Sequence, residues 1–141
     1  MGGALEQILK SASLYTDEQT YVIAHLPPGA ITAAAGVLAE VGEPFGAVVV
    51  DKDEVTLILP SVWWDDFKHR LPEHEVAGPY RLITFDLPLE LDLVGFMAAV
   101  SGALAAASVP IMPVAAYQRD HLLVPAGQFD AAWAALEALR E

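Results

Sequence analysis

A chain of 141 residues with 19 acids against 7 lysines and arginines carries a net charge of −12. That balance argues against nucleic acid, because phosphate binding is driven by basic residues releasing counterions. The absence of cysteine excludes disulfide and thiol chemistry and fits a reducing, cytoplasmic setting, while no apolar run reaches the ~18 residues of a membrane span.

Residues 1–20 form a leader in which Leu5, Ile8, Leu9 and Ala12 recur at helical spacing, predicting a short helix packed on the body. The leader lacks a basic stretch followed by an apolar run, so no signal peptide is expected. Tyr21 to Leu26 reads as a strand, stopped by Pro27, Pro28 and Gly29. A helix from Ala30 to Val41 follows, with Ile31, Ala34, Ala35, Leu38 and Val41 as its apolar stripe. Gly42 is placed to end it in a left-handed conformation. Phe45 to Val50, a near-continuous β-branched run, predicts a strand buried on both faces. Asp51 to Glu54 is a turn, and Val55 to Leu59 returns antiparallel. Ser61 is placed as the N-cap of a helix from Val62 to Arg70.

Pro72 to Pro79 resembles a short linker, with Glu75 to Ala77 as a candidate fourth strand. After a strand from Tyr80 to Phe85, a helix from Asp92 to Ala107 carries Leu93, Phe96, Met97, Val100 and Leu104 on one face. Ile111 to Ala115 and His121 to Val124 make a hairpin. The last helix, Gly127 to Leu139, buries Phe129, Ala132, Trp133 and Leu136.

The two halves repeat each other. Tyr21 to Leu26 corresponds to Tyr80 to Phe85, and Leu57 to Pro60 corresponds to Leu122 to Pro125, each followed by an aromatic-bearing helical stretch. The expected organisation is a leader helix (1–20), a first unit (21–78) and a second unit (79–141). The fold class is α+β: two ferredoxin-like βαββαβ units packed side by side, with antiparallel sheets and helices on one face. The tight hairpins favour this over a single mixed α/β sheet. The apolar content of 55% predicts a homodimer.

Leu93 to Phe96, Leu104 to Ile111 and Ala116 to Pro125 together resemble an ACT domain. The subtype is similar to that of eukaryotic cytosolic arginine sensors and of small bacterial two-domain proteins. The resemblance covers residues 80–136 and keeps Tyr117, Asp120 and the Leu-Leu-Val-Pro end; Ala115 or Ala116 stands where a serine is common, and Arg119 where the subtype has threonine or histidine. The first half is reached only through the internal repeat. The resemblance implies a regulatory module that binds an amino acid or similar small molecule at the seam between paired ACT units, with the effect passed to a partner enzyme or regulator.

A free amino acid needs donors for its carboxylate and an anion for its ammonium. The turn Leu91 to Phe96, with Asp92, Leu93, Val94, Gly95 and Phe96 as the candidate ligand contacts, offers backbone N–H groups at a helix N-terminus, with Gly95 permitting close approach. Asp120 is the candidate to accept from the ammonium, and Val114 and Tyr117 would form the wall. Asp120 reads equally as a solvated turn residue, and Asp92 as a helix cap. His69, Glu73, His74 and Glu75 match no zinc spacing and read as surface, so no metal is expected. His25 and His121 read as half-buried core histidines. Neither a nucleophile elbow nor a phosphate loop is present, so neither an enzyme nor a bound cofactor is expected. Trp63 and Trp64 cannot both face one core, which places one of them in a dimer contact. The alternative function is a ligand-free dimerisation or protein-interaction module acting on a partner enzyme.

Overall fold

The computed structural model describes residues 2–91 and 93–141. In chain order the elements are α1 (Gly2–Ser11), β1 (Leu14–Tyr15), β2 (Tyr21–Leu26), α2 (Ile31–Val41), β3 (Ala47–Val50) and β4 (Val55–Pro60). There follow α3 (Trp64–Phe67), β5 (Glu75–Phe85), α4 (Phe96–Ala106), β6 (Met112–Ala115), β7 (Asp120–Pro125) and α5 (Phe129–Leu139). They divide into two compact units, one of Gln19–Tyr80 and one of Arg81–Glu141 joined by the leader up to Glu18. Both units are α+β with ferredoxin-like strand order, and no helix among the described residues is long and apolar enough to cross a membrane.

In the first unit the strand order is β3-β4-β2-β5, antiparallel throughout. Strand alternation puts Ala24 and Leu26 of β2 on the same face as Val55, Leu57 and Leu59 of β4. That face is the core, closed by Ala34 and Val37 of α2 and by Trp64 and Phe67 of α3. Burial of each large aliphatic side chain there is worth about 1.5–3 kcal/mol. The buried stripe of α2 is displaced from the expected one: Ala30, Ala34 and Val37 are buried, while Ile31 is 46% exposed and Ala35 is exposed. A 3-10 turn over Pro28–Ala30 leads into the helix and sets its phase. Gly42 ends α2 with φ 67°, its N–H donating to the Leu38 carbonyl at 2.8 Å.

Five other expectations change in this unit. Val49 and Val50 are about half exposed, because β3 is an edge strand paired only with β4. The helix expected over Val62 to Arg70 is one α-helical turn between 3-10 turns at Ser61–Trp63 and Lys68–Arg70. Ser61 is not its cap: the hydroxyl accepts from Thr20 Oγ1 at 2.9 Å. The linker-like stretch lies largely in β5, whose residues up to Tyr80 pair with β2 and supply the fourth strand. His25 is exposed and sits 3.1 Å from Glu54.

In the second unit the order is β1-β5-β7-β6. The leader supplies β1, pairing Leu14 with Phe85 and Tyr15 with Thr84, so it fills the place that β5 fills in the first unit. Ile83 and Phe85 of β5, with Leu122 and Val124 of β7, face Phe96, Val100 and Leu104 of α4 and Ala132 and Leu136 of α5. Leu5, Ile8 and Leu9 of α1 pack on the same core, as their spacing predicts. The helical face read for α4 is also found, although the helix begins at Phe96. Asp92 lies outside the described residues.

Candidate functional site

The first turn of α4 is the starting point. Its N–H groups have no intrahelical acceptor, no side chain among the described residues caps it, and no acid lies in its first turn. The N-cap is Gly95 at φ 93°, a conformation that favours glycine. A Cβ at Gly95 would also stand 3.2 Å from Leu5 Cδ2, so close packing of α1 constrains the same position.

Opposite this helix end stands the β6–β7 hairpin. Ala115 pairs with Asp120, and the turn closes through Ala116 N–H donating to the Arg119 carbonyl at 2.8 Å. Asp120 is therefore the first residue of a strand and half-buried, rather than a solvated turn residue. Alternation gives its side chain the same face as Leu122 and Val124, the face on which α4 packs. The irregular segment after β5 completes the site. Its Leu89 N–H donates to the Gln118 carbonyl at 2.8 Å, tying the segment to the hairpin.

These three parts enclose an open cavity of about 260 Å³. Of the residues singled out from the sequence, Leu93, Gly95, Phe96, Tyr117 and Asp120 line it together. Val94 points away into solvent at 85% exposure, and Val114 is half-buried in β6 opposite His121; neither is in the lining. Leu91, the first residue of the candidate turn, also lines it, and the sequence reading missed Leu89, Glu90, Met97 and Arg119 as lining residues. Leu91 and Tyr117, at 72% and 76% exposure, are among the most exposed large apolar residues described.

Burial pushes the Asp120 carboxyl above its ordinary value, with the adjacent His121 pulling the other way. Burial pushes His121 down, opposed by Asp120 and reinforced by Arg119. The His121 ring lies on the opposite face, with Nδ1 2.8 Å from Thr84 Oγ1. Arg119 Nε donates to Asp86 Oδ1 at 3.4 Å. The arrangement combines hydrogen-bond donors for an anion, a carboxylate for a cation and apolar walls.

Among the described residues no three His, Asp or Glu side chains converge as a metal site. His74, from the one metal-like cluster in the sequence, turns its Nδ1 to the Leu71 carbonyl at 2.9 Å and its ring against Trp64.

Residues 75–138 match the family model for the ACT domain. No curated protein sequence matches the chain. A Vibrio cholerae protein of unknown function, described as a candidate transport protein, has a similar fold (TM-score 0.75, 24% identity, 99% of this chain and 98% of that one). So does the regulatory subunit of aspartate kinase from Thermus flavus (TM-score 0.73, 16% identity, 92% and 99%). A protein from Agrobacterium tumefaciens is similar at TM-score 0.69 and 23% identity over 90% of this chain and 87% of that one.

Proposed function

The chain carries an ACT domain over residues 75–138, and from that premise we propose that it is a regulatory protein without catalysis of its own, which binds a free amino acid in the cavity beside α4. The observation that carries this reading is the pairing, in one cavity, of the α4 N-terminus with the half-buried Asp120. The ligand's carboxylate accepts from the first-turn N–H groups, where the helix dipole favours negative charge. Its ammonium donates to Asp120 in a charge-assisted hydrogen bond, strengthened by partial burial. The side chain then lies along the apolar wall. An ACT unit of a second copy closes the seam over the ligand, and a partner enzyme senses the closed state. Regulation in amino-acid metabolism is supported by the fold shared with aspartate kinase regulatory subunits.

The test is a thermal-shift screen against the common amino acids at millimolar concentration. A ligand at about 100 times its dissociation constant adds roughly 2.7 kcal/mol, a midpoint rise of about 5–10 °C for a chain of this size. Asp120→Asn should lose that rise while unfolding with the same cooperativity. Absence of a shift with every amino acid would overturn the reading.

A second reading, an interaction module without a small ligand, is favoured by β3. This edge strand exposes Val49 and Val50 and contains no proline or charge. The edge strand β6 of the second unit carries Pro113, which cannot donate to a further strand. An unprotected apolar edge suits strand pairing with a second copy, and Trp63, 39% exposed, adds apolar surface in the same unit. Sedimentation showing a stable monomer at micromolar concentration would count against it.

A further inference from the structure

Resting on the amino-acid reading above, we infer that the chain takes one ligand per chain: the second unit holds the site, and the matching place in the first unit is closed. The units can be compared residue by residue, because from the helix onward they keep one spacing. α2 (Ile31–Val41) and α4 (Phe96–Ala106), β3 (Ala47–Val50) and β6 (Met112–Ala115), and β4 (Val55–Pro60) and β7 (Asp120–Pro125) all stand 65 positions apart. The hairpin registers agree, Val50 facing Val55 as Ala115 faces Asp120. So do the 3-10 turns that follow, Ser61–Trp63 and Ala126–Gln128. The leading strands, β2 (Tyr21–Leu26) and residues 80–85 of β5, stand only 59 apart. Pairing supports that match: His25 faces Thr56 of β4, and Thr84 Oγ1 lies 2.8 Å from His121 Nδ1 of β7. The second unit therefore has six more residues between its leading strand and its helix, in the segment that walls the cavity.

Each part of the cavity is altered in the first unit. Residues 86–95 give way to residues 27–30, and the 3-10 turn Pro28–Ala30 runs straight into α2. Pro27 and Pro28 have no N–H, and the Ala30 N–H is spent on the Pro27 carbonyl at 3.0 Å. A carboxylate there meets fewer free donors than at the start of α4. Gly95, at φ 93°, has as its counterpart Ala30, at φ −87° and 3% exposed. The position of Asp120 is taken by Val55, fully buried in one core cluster with Ala30 and Ala34. A valine offers no acceptor, and an ammonium buried without one is costly. The acids of the neighbouring turn are engaged: Asp51 Oδ1 accepts from the Asp53 and Glu54 N–H groups at 2.8 and 3.0 Å, and Glu54 lies 3.1 Å from His25.

Calorimetric titration of the full chain with each of the common amino acids gives the ratio of ligand to chain at saturation, which should be one. Asp120→Asn should remove all of that binding, not half of it, while unfolding with the same cooperativity. Obstruction gives a second check that leaves the buried residues alone. Ala98 lines the cavity at the start of α4, Thr32 lies in the first turn of α2, and both are exposed. Ala98→Trp should weaken affinity by at least about tenfold, whereas Thr32→Trp should leave it within about twofold. Two ligands per chain, one of them surviving Asp120→Asn, would overturn the inference and leave the amino-acid reading standing. So would a ratio of one half, in which two copies share a single ligand. No binding by any amino acid would overturn both.

Discussion

Asp120 and His121 are neighbours in β7 whose burial works in opposite directions on stability as pH changes. His121 is held below its ordinary 6.5, so in the interval between its folded value and 6.5 the unfolded chain holds a proton that the folded chain lacks. Stability therefore rises with pH through that interval and is lost as pH falls through it. Asp120 is held above its ordinary 3.8, and there the folded chain holds the extra proton. Its contribution is gained in acid and lost as pH rises from 3.8 through the folded value. Urea unfolding from pH 3.5 to 7.5 should show His121→Asn flattening the upper slope and Asp120→Asn removing the lower one; slopes unchanged by either variant would refute the assignment. If the carboxylate binds the ligand's ammonium, affinity should also weaken as pH drops through the folded value of Asp120. The sequence made Asp120 and Gly95 legible because each residue type has a specific use at a hairpin and a helix start. It left Leu89 obscure, because its place in the cavity depends on a segment with no periodicity to read.

The elements themselves were read well where one apolar face meets one core, and less well where a strand serves more than its local pattern shows. In α4, α5 and α1 the spacing of Phe96, Val100 and Leu104, of Ala132 and Leu136, and of Leu5 and Ile8 matches their packing. In β5 the pattern misleads, because Pro72 to Pro79, bounded by prolines and holding Glu73, His74 and Glu75, resembles a linker, although Glu75 to Pro79 is the exposed start of the strand. Its strand character comes from hydrogen bonding to β2, a pairing partner 50 or more positions away that local composition does not encode. Gly78 is the hinge of that pairing, at φ 145° and beside a register shift between Tyr21 and Ile23. A Cβ there would stand 2.9 Å from the Tyr21 carbonyl oxygen. Gly78→Ala should cost about 1–3 kcal/mol through backbone strain. Gly102 provides the contrast: it lies inside α4 with nothing within 4 Å of an added Cβ. Gly102→Ala should stabilise by about 0.5–1 kcal/mol. Denaturation midpoints that move the same way in both variants would contradict this account of the two glycines.

Across the whole chain, the internal repeat is unequal at its ends, and the leader makes up the difference. The first unit contains a complete βαββαβ order from β2 to β5, whereas the second, beginning within β5, takes its fourth strand from β1. The attachment is specific. Thr16 Oγ1 donates to the Leu82 carbonyl at 2.6 Å, Arg81 donates to the Asp17 carbonyl at 2.9 Å, and Asp86 N–H donates to the Ser13 carbonyl at 2.8 Å. Ala12 is fully buried, and Leu5, Ile8 and Leu9 cover the core around Phe96 and Leu104. Removing residues 1–18 should therefore expose β5 and strip one side of the second core, at a cost of about 3–6 kcal/mol from lost apolar burial alone. Against a typical total of about 5–15 kcal/mol, that loss should leave the second unit marginal. Hydrogen exchange read by mass spectrometry would show it directly. Peptides of α4 and β7 should lose protection in the shortened chain, while β2 and β4, whose pairing lies wholly within residues 21–60, keep more of theirs. Full protection of α4 and β7 without the leader would mean that β1 and α1 decorate a unit already complete. Loss confined to the second unit would mean that the cavity beside α4 depends on a segment at the far end of the sequence.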